Sequence, residues 1–229
     1  MNSAAFLNLL AKDGFMIAVL FDLDGTLLDS TDLDTECYIK AVRTVLGEVA
    51  IRPEWGHYQE VTALAILKDI LKDNSLSSGK ELWEEVREEF GQRVSAALQN
   101  GRSCCAREGA QDTINLLREN KDFQIALATG DWSHTAGMKL TSAGLNFNGI
   151  PLCSSDQKEN RIEIMKEALR NLEGPFQHIF YVGDGLWDQK ASRELGWGFI
   201  GIGPNLQGRC DDWFESFGPE FQKHITSFR

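Results

Sequence analysis

The chain has 229 residues, a length that suits one α/β domain or a core with a smaller accessory domain. Hydrophobic residues make up 42% and charged residues 25%, which is ordinary for a globular protein with a sizeable core. The formal net charge of -11 and the absence of any basic run argue against a nucleic-acid-binding protein.

The N-terminal segment and the cysteines indicate a cytoplasmic protein. The segment MNSAAFLNLLAKDGF has a short apolar run with no basic region before it, so no signal peptide is expected. No apolar run reaches the length of a transmembrane helix. The five cysteines are an odd number without a CxxC spacing, which favours reduced thiols. We therefore expect a cytoplasmic location and no membrane partner.

Continuous apolar runs predict strands that are buried on both faces of a sheet. Four runs are clear and a fifth is weaker, in the order Met16–Phe21, Phe123–Thr129, Gly149–Ser154 (the weak run), His178–Gly183 and Gly198–Gly203. Helical patterns such as AQDTINLLREN and RIEIMKEALRNL lie between them. This alternation predicts an α/β fold with a doubly wound, Rossmann-like parallel sheet.

Only helical patterns are found between Ser30 and about Ser103. They lie in the segments TDLDTECYIKAVRTVLG, YQEVTALAILKDILKD and KELWEEVREEFGQRVSAALQ. We therefore predict an all-α cap of residues 31–103, inserted into a core formed by residues 1–30 and 104–229. One linker out and one linker back would let the cap move against the sheet.

Acidic side chains recur where the predicted strands end. Asp22 and Asp24 follow the first run, and Asp184 and Asp188 follow the run that ends at Gly183. Ligands of open parallel sheets bind outside the carboxyl ends of the strands, so these four carboxylates are expected to converge. Carboxylate oxygens are ligands that suit Mg²⁺.

A hydroxyl, a glycine and two cations follow the other strands. Thr129 and Gly130 lie at the end of the second run, and Lys158 and Arg161 follow the weak run. Each short pattern alone is most often a turn or a helix cap. A turn does not explain, however, why acids follow two separate buried runs.

Taken together, these residues resemble the four motifs of the haloacid dehalogenase superfamily, in its phosphatase branch. DLDGTLLD resembles the first motif, Thr129 the second and VGDGLWD the fourth, while Lys158 or Arg161 would supply the cation of the third. The motifs occur in the family's order, and the resemblance covers nearly the whole chain. The helical insertion is similar to the caps of phosphoglycolate phosphatases and β-phosphoglucomutases.

The resemblance implies a Mg²⁺-dependent phosphatase that acts on a small phosphorylated metabolite through an aspartyl-phosphate. Asp22 would be the nucleophile, and Asp24 would protonate the leaving group and then activate water. The implied metal site comprises Asp22, Asp24 (through its backbone carbonyl), Asp184 and Asp188. The implied phosphate-binding residues are Thr129, Gly130 and either Arg161 or Lys158.

The local pattern favours Arg161 over Lys158 as the cation that meets the phosphate. Asn160 is a good N-cap, and Glu163 three residues later resembles a capping box. Arg161 would then be the first helical residue, where backbone N–H groups also favour an anion. Lys158 would lie in the preceding loop, from which its flexible side chain could still reach inward.

Two other functions stay open at this point. A phosphomutase on a sugar phosphate uses the same acids, and a non-enzymatic regulator that binds a phosphorylated ligand or a protein could retain the fold. The presence of both Asp22 and Asp24 favours an enzyme over the regulator, and it disfavours the dehalogenase branch, which lacks the second acid. In the cap, a turn contains four candidate substrate contacts, although an ordinary interhelical turn is the commoner explanation of such a segment: Arg52, Trp55, Gly56 and His57.

Overall fold

A six-stranded parallel sheet forms the centre of the computed structural model, which describes residues 16–228. The strands of the chain are β1 Met16–Phe21, β2 Leu28–Asp29, β3 Cys105–Ala106, β4 Phe123–Ala128, β5 Leu152–Cys153, β6 Phe176–Gly183, β7 Gly198–Ile202 and β8 Trp213–Phe214. In the sheet they lie in the order β5-β4-β1-β6-β7-β8, and every neighbouring pair is parallel. A separate antiparallel ribbon pairs β2 with β3.

Helices cover both faces of this sheet, so the predicted doubly wound α/β fold is confirmed. They are α1 Thr31–Leu46, α2 Ala63–Asp73, α3 Lys80–Gln99, α4 Ala110–Glu119, α5 Ser133–Ser142, α6 Arg161–Arg170, α7 Leu186–Leu195 and α8 Pro219–Thr226. Short 3₁₀ turns occur at Trp55–His57 and Pro204–Leu206. The first fifteen residues of the predicted core lie outside the described residues.

The central strand β1 is apolar throughout because both of its faces are covered. Ile17, Val19 and Phe21 join the larger hydrophobic cluster on one face of the sheet. Ala18 and Leu20 join the smaller cluster on the other face. This alternation follows from the two-residue period of a strand, and it explains why the run is continuous rather than alternating.

Helices α1–α3 form a layer over the carboxyl ends of the strands. Helix α1 packs against α3, and α3 packs against α5 of the sheet-bearing part. The ring centroid of Trp132 lies 5.9 Å from that of Tyr38 and 5.6 Å from that of Phe90. The buried side chains of the helical layer thus continue into the core on one face of the sheet. The predicted cap boundaries fall between β2 and α1 and between α3 and β3, and the division into domains stays a prediction.

Three helices were not identified from the sequence, namely α5, α7 and α8. Helix α5 has the sequence SHTAGMKLTS, which contains Gly137 and several hydroxyl residues of low helix propensity. Its buried face includes Thr135 and Lys139 beside Ala136 and Leu140. A helix whose buried face is partly polar gives a weak apolar period, and tertiary contacts rather than local pattern account for it.

Two further predictions concern membrane-spanning helices and the pairing of the cysteines. Within residues 16–228, no helix combines the length and the apolar character needed to cross a membrane. All five cysteines lie in this range, and none of them is paired in a disulfide.

Candidate active site

Three buried carboxylates meet at the carboxyl ends of β1 and β6. Asp22 directly follows β1, and its backbone N–H donates to the Val182 carbonyl of the neighbouring strand at 2.9 Å. Asp184 follows β6, and Asp188 lies in the first turn of α7. One carboxylate oxygen from each of the three lies within 4.8 Å of the others. The adjacent strand ends thus bring three of the four predicted carboxylates together, whereas the Asp24 carboxylate lies in a separate group of charges.

Burial and mutual repulsion raise the pKa of all three acids. Burial, with the nearby Asp188 carboxylate, raises the pKa of Asp22 to about 7 although Arg161 opposes the shift. Burial and Asp22 raise the pKa of Asp184 to about 7, and burial raises that of Asp188 to about 6. Because the charged forms are disfavoured, the cluster would gain from a cation. Among the described residues, Asp184 Oδ1 has no hydrogen-bond partner although it is buried.

A single glycine lets the loop after β1 approach Asp184. Gly25 adopts a left-handed conformation with φ of 84°, and a Cβ at this position would collide with the Asp184 carboxylate. The following Thr26 hydroxyl donates to Asp22 Oδ2 at 3.3 Å. The segment DLDGT is therefore a turn, but one whose geometry brings the first and fourth predicted motifs into contact.

Arg161 is the cation that the structure places against these acids. Its Nη1 lies 3.1 Å from Asp22 Oδ1 and 2.8 Å from Asp188 Oδ1. The predicted helix start is observed: α6 begins at Arg161, and the Asn160 side chain accepts from the backbone N–H three residues later. Lys158 lies in the preceding loop and pairs with the Glu167 carboxylate on α6 instead.

Thr129 and Gly130 follow β4 and line a cavity that Asp22 and Arg161 also line. The Gly130 carbonyl accepts from Ala63 N–H, at the start of α2, at 2.7 Å. A Cβ at Gly130 would lie 2.5 Å from Arg161 Nη2 and 2.7 Å from the Val61 carbonyl oxygen. Only glycine therefore permits the guanidinium and the cap segment to approach this point together.

Asp24 lies in a second group of charges that the sequence analysis did not identify. Its Oδ1 accepts from Ser30 Oγ at 2.5 Å and from Lys139 Nζ at 2.6 Å. The Lys139 ammonium also lies 2.5 Å from Asp34 Oδ1 and 2.9 Å from Asp131 Oδ2. Burial alone would lower the pKa of Lys139, but the three carboxylates outweigh it and hold the pKa well above its usual range.

A cavity of about 140 Å³ opens onto both groups of charges. Of the four cap residues singled out in the sequence, Trp55 lines the cavity. Among the described residues, the wall does not include Arg52, whose Nη2 donates to Asp73 Oδ1 at 3.0 Å, nor Gly56 or His57. The lining consists of Asp22, Asp24, Thr31, Asp34, Thr35, Tyr38, Trp55, Val61, Thr62, Ala63, Ile66, Thr129, Gly130, Asp131, Arg161, Asp184, Trp187 and Asn205.

The cap segment Glu60–Thr62 also reaches the cavity and was not singled out in the sequence. The Glu60 side chain accepts from Asn160 Nδ2 at 3.1 Å, and the Val61 carbonyl accepts from Arg161 Nη2 at 2.8 Å. Thr62 Oγ1 donates to the carbonyl of Glu159 at 2.8 Å. This segment therefore joins the cap to the beginning of α6. No short motif distinguishes it, because its role depends on contacts about 100 residues away along the chain.

Comparisons with known proteins identify a family and similar folds. Residues 16–196 match the family described as haloacid dehalogenase-like hydrolase. Pyrophosphatase PpaX from Anoxybacillus flavithermus is 25% identical over 206 residues, which are 89% of this chain and 90% of that protein.

Solved structures share the fold over nearly the whole chain. A hydrolase from Pseudomonas syringae superposes with a TM-score of 0.71 at 20% identity, covering 92% of this chain and 98% of that one. A β-phosphoglucomutase from Clostridium difficile superposes with a TM-score of 0.71 at 17% identity, covering 94% and 100%. Both similarities include the helical layer over the sheet, and at these identities they concern the fold alone.

Proposed function

This chain belongs to the haloacid dehalogenase-like hydrolase family, and on that basis we propose that it is a Mg²⁺-dependent phosphatase acting on a small phosphomonoester. One observation carries the proposal. The buried Asp22 carboxylate lies against the Arg161 guanidinium, and a second carboxylate, Asp24, faces the same cavity. A nucleophile, a cation for the phosphate and an acid–base group are thus in reach of one small ligand.

The two aspartates at the end of β1 divide the chemistry. A carboxylate oxygen of Asp22 attacks phosphorus, and the ester P–O bond breaks as Asp24 transfers its proton to the leaving oxygen. The products of this step are the free alcohol and phosphorylated Asp22. Water then attacks phosphorus while Asp24 takes up its proton, which releases inorganic phosphate and restores the Asp22 carboxylate.

Three groups support binding of the phosphate oxygens. Arg161 offers Nε, which is buried and has no acceptor among the described residues. The Thr129 hydroxyl accepts from Asp131 N–H at 3.1 Å, so its own proton is available to a ligand. The Gly130 N–H is the third donor. Phosphoryl transfer is mainly a matter of positioning and of neutralising charge, and this set of donors suits both.

The residues present fit a divalent cation. Asp22, Asp184, Asp188 and the Asp24 carbonyl would hold it, since the three carboxylates converge and Asp184 Oδ1 lacks a partner among the described residues. Oxygen donors of this kind suit Mg²⁺, which when bound supplies positive charge to the phosphate.

A panel of phosphate esters tests the proposal. We expect the purified full chain to release phosphate from p-nitrophenyl phosphate and from at least one small ester when Mg²⁺ is present. EDTA should abolish turnover, and added Mg²⁺ should restore it. Pyrophosphate belongs in the panel because a relative is named for it. The matched control is Asp22→Asn, which keeps the shape of the side chain.

The other outcomes separate the alternatives. Interconversion of sugar phosphates without release of phosphate would favour a phosphomutase. Binding of phosphate esters with no turnover of any of them would favour a non-enzymatic regulator. Full activity after exhaustive removal of metal would contradict the proposed role of Mg²⁺.

A further inference from the structure

Lys139 is a fully buried ammonium among three carboxylates. It lies on α5 with a side-chain exposure of 0%, and its Nζ is 2.5–2.9 Å from oxygens of Asp24, Asp34 and Asp131. A buried ammonium is costly unless all its donors are used, and here three acceptors meet its three N–H bonds. Such a cluster constrains the position of every member.

The three acids come from three separate segments of the chain. Asp24 follows β1, Asp34 lies in the first turn of α1, and Asp131 follows β4. Asp131 is itself fixed, because its Oδ1 accepts from Trp132 N–H at 2.6 Å and from Thr135 Oγ1 at 2.8 Å. The ammonium is therefore attached to the core by Asp131 as well as by its own helix.

The consequence for Asp24 is that its two oxygens have different surroundings. Oδ1 accepts from both Lys139 and the Ser30 hydroxyl. For Oδ2, no hydrogen-bond partner is found within residues 16–228, and Asp24 lines the cavity. Two donors on one oxygen restrict rotation of the carboxylate and leave the other oxygen for a ligand.

We propose that Lys139 is a positioning residue, which holds Asp24 so that Oδ2 presents its proton to the leaving oxygen of the substrate. The inference rests on the function proposed above and adds a residue to it. In the first step the electron pair of the broken P–O bond stays on the leaving oxygen, and the Asp24 proton neutralises it. Exact placement of that proton matters most when the leaving group is a poor one.

Two substrates distinguish this role from a purely structural one. An alkyl phosphate such as β-glycerol phosphate leaves as a basic alkoxide and needs the proton, whereas p-nitrophenolate is stable without it. In Lys139→Met we expect kcat/KM for the alkyl ester to fall at least about 10-fold more than kcat/KM for the aryl ester, because kcat/KM reports the step in which the leaving group departs. Lys139→Arg should recover part of this ratio.

A matched control is available on the same helix. Leu140 follows Lys139 on α5, is fully buried and belongs to the larger hydrophobic cluster. Leu140→Ala should lower the unfolding temperature by removing core contacts, and it should leave the alkyl-to-aryl ratio of kcat/KM unchanged.

Each outcome decides the proposal. An equal fall in kcat/KM for both esters in folded Lys139→Met would overturn it. If that variant does not fold, the double variant Lys139→Met with Asp131→Asn replaces it in the test. In this double variant the cluster keeps the wild-type excess of two carboxylates over cations. An unchanged alkyl-to-aryl ratio in the double variant would also overturn the proposal. Failure of the wild-type chain to hydrolyse either ester would instead contradict the proposed phosphatase function.

Discussion

Asp22 and Asp24 lie two residues apart, yet their surroundings are different. Asp22 is buried with the Arg161 guanidinium against one of its oxygens, whereas Asp24 is half-buried and bound to Lys139. A carboxylate that must attack phosphorus needs a fixed position and a neutralised phosphate, which the first environment offers. A carboxylate that must give and take a proton needs access to the cavity, which the second offers.

Substitution should therefore separate the two roles. Asp22→Asn should lower kcat at least about 1,000-fold because the amide is a poor nucleophile. Asp24→Asn should lower kcat about 100-fold with alkyl esters and less with p-nitrophenyl phosphate. Steady-state kinetics measure both, with the exposed Asp32→Asn on α1 as the control. Undiminished turnover by Asp22→Asn would refute its assignment as the nucleophile.

Substitutions of Arg161 and Lys158 test which of the two cations binds the phosphate. Arg161→Ala should lower kcat/KM about 100-fold, because a buried donor to the phosphate is lost and Asp22 and Asp188 lose their counter-ion. Lys158→Ala should be close to wild type, since its side chain pairs with Glu167. Arg161→Lys should be intermediate because a lysine has no planar fork. A nearly inactive Lys158→Ala beside a nearly normal Arg161→Ala would reverse the assignment.

Helices and strands whose sequence signals are local could be predicted from the sequence. Strand β1 and the start of α6 are examples, because a run buried on both faces and the Asn160 cap are local signals. Lys139 was not predictable, because α5 has a weak apolar period and a lone lysine ordinarily indicates a solvated surface. Its partners Asp34 and Asp131 become visible only when separate segments fold together.

The segment Glu60–Thr62 is where cap motion should be detectable. It contacts Glu159, Asn160 and Arg161 at the start of α6, so closure over a ligand would strengthen these contacts. We expect a bound phosphate analogue to slow amide hydrogen exchange in residues 60–63 and at the start of α6. Helix α4, which packs on the sheet away from the cavity, serves as the internal control. Identical exchange with and without the analogue would argue against closure.

In the folded molecule, the cavity lies between two clusters of charged side chains, and in each cluster the carboxylates outnumber the single cation. Arg161 contacts Asp22 and Asp188 on one side, and Lys139 contacts its three acids on the other. The chain as a whole is also acidic, with a formal charge of -11. Folding therefore collects negative charge at a single place, and a bound divalent cation would offset part of it.

This arrangement predicts how stability depends on pH. The pKa of Asp184 rises from 3.8 to about 7, so between these values the folded state holds a proton that the unfolded state has lost. Without metal, the free energy of unfolding should fall as pH rises from about 4 to about 7. Asp184→Asn should reduce this fall. Thermal unfolding across this range measures it, and a variant with the same pH dependence as wild type would contradict the assignment.

Metal addition should act in the opposite direction. Because Mg²⁺ binds the deprotonated carboxylates, it should raise the unfolding temperature more at pH 8 than at pH 5. Asp184→Asn should lose most of the gain at pH 8. An equal gain at both pH values, or the same gain in the variant, would indicate that the ion binds elsewhere.

If Asp22 is the nucleophile, it carries the phosphoryl group during turnover. The most direct measurement is rapid acid quenching of Asp24→Asn during turnover of p-nitrophenyl phosphate with Mg²⁺, followed by peptide mass spectrometry. In this variant the second step lacks its base, so the phosphorylated form should accumulate. The peptide that contains Asp22 should carry the added mass of one phosphoryl group, and the same peptide of the double variant with Asp22→Asn should carry none. Turnover with no label on that peptide, or with the label on another residue, would contradict it.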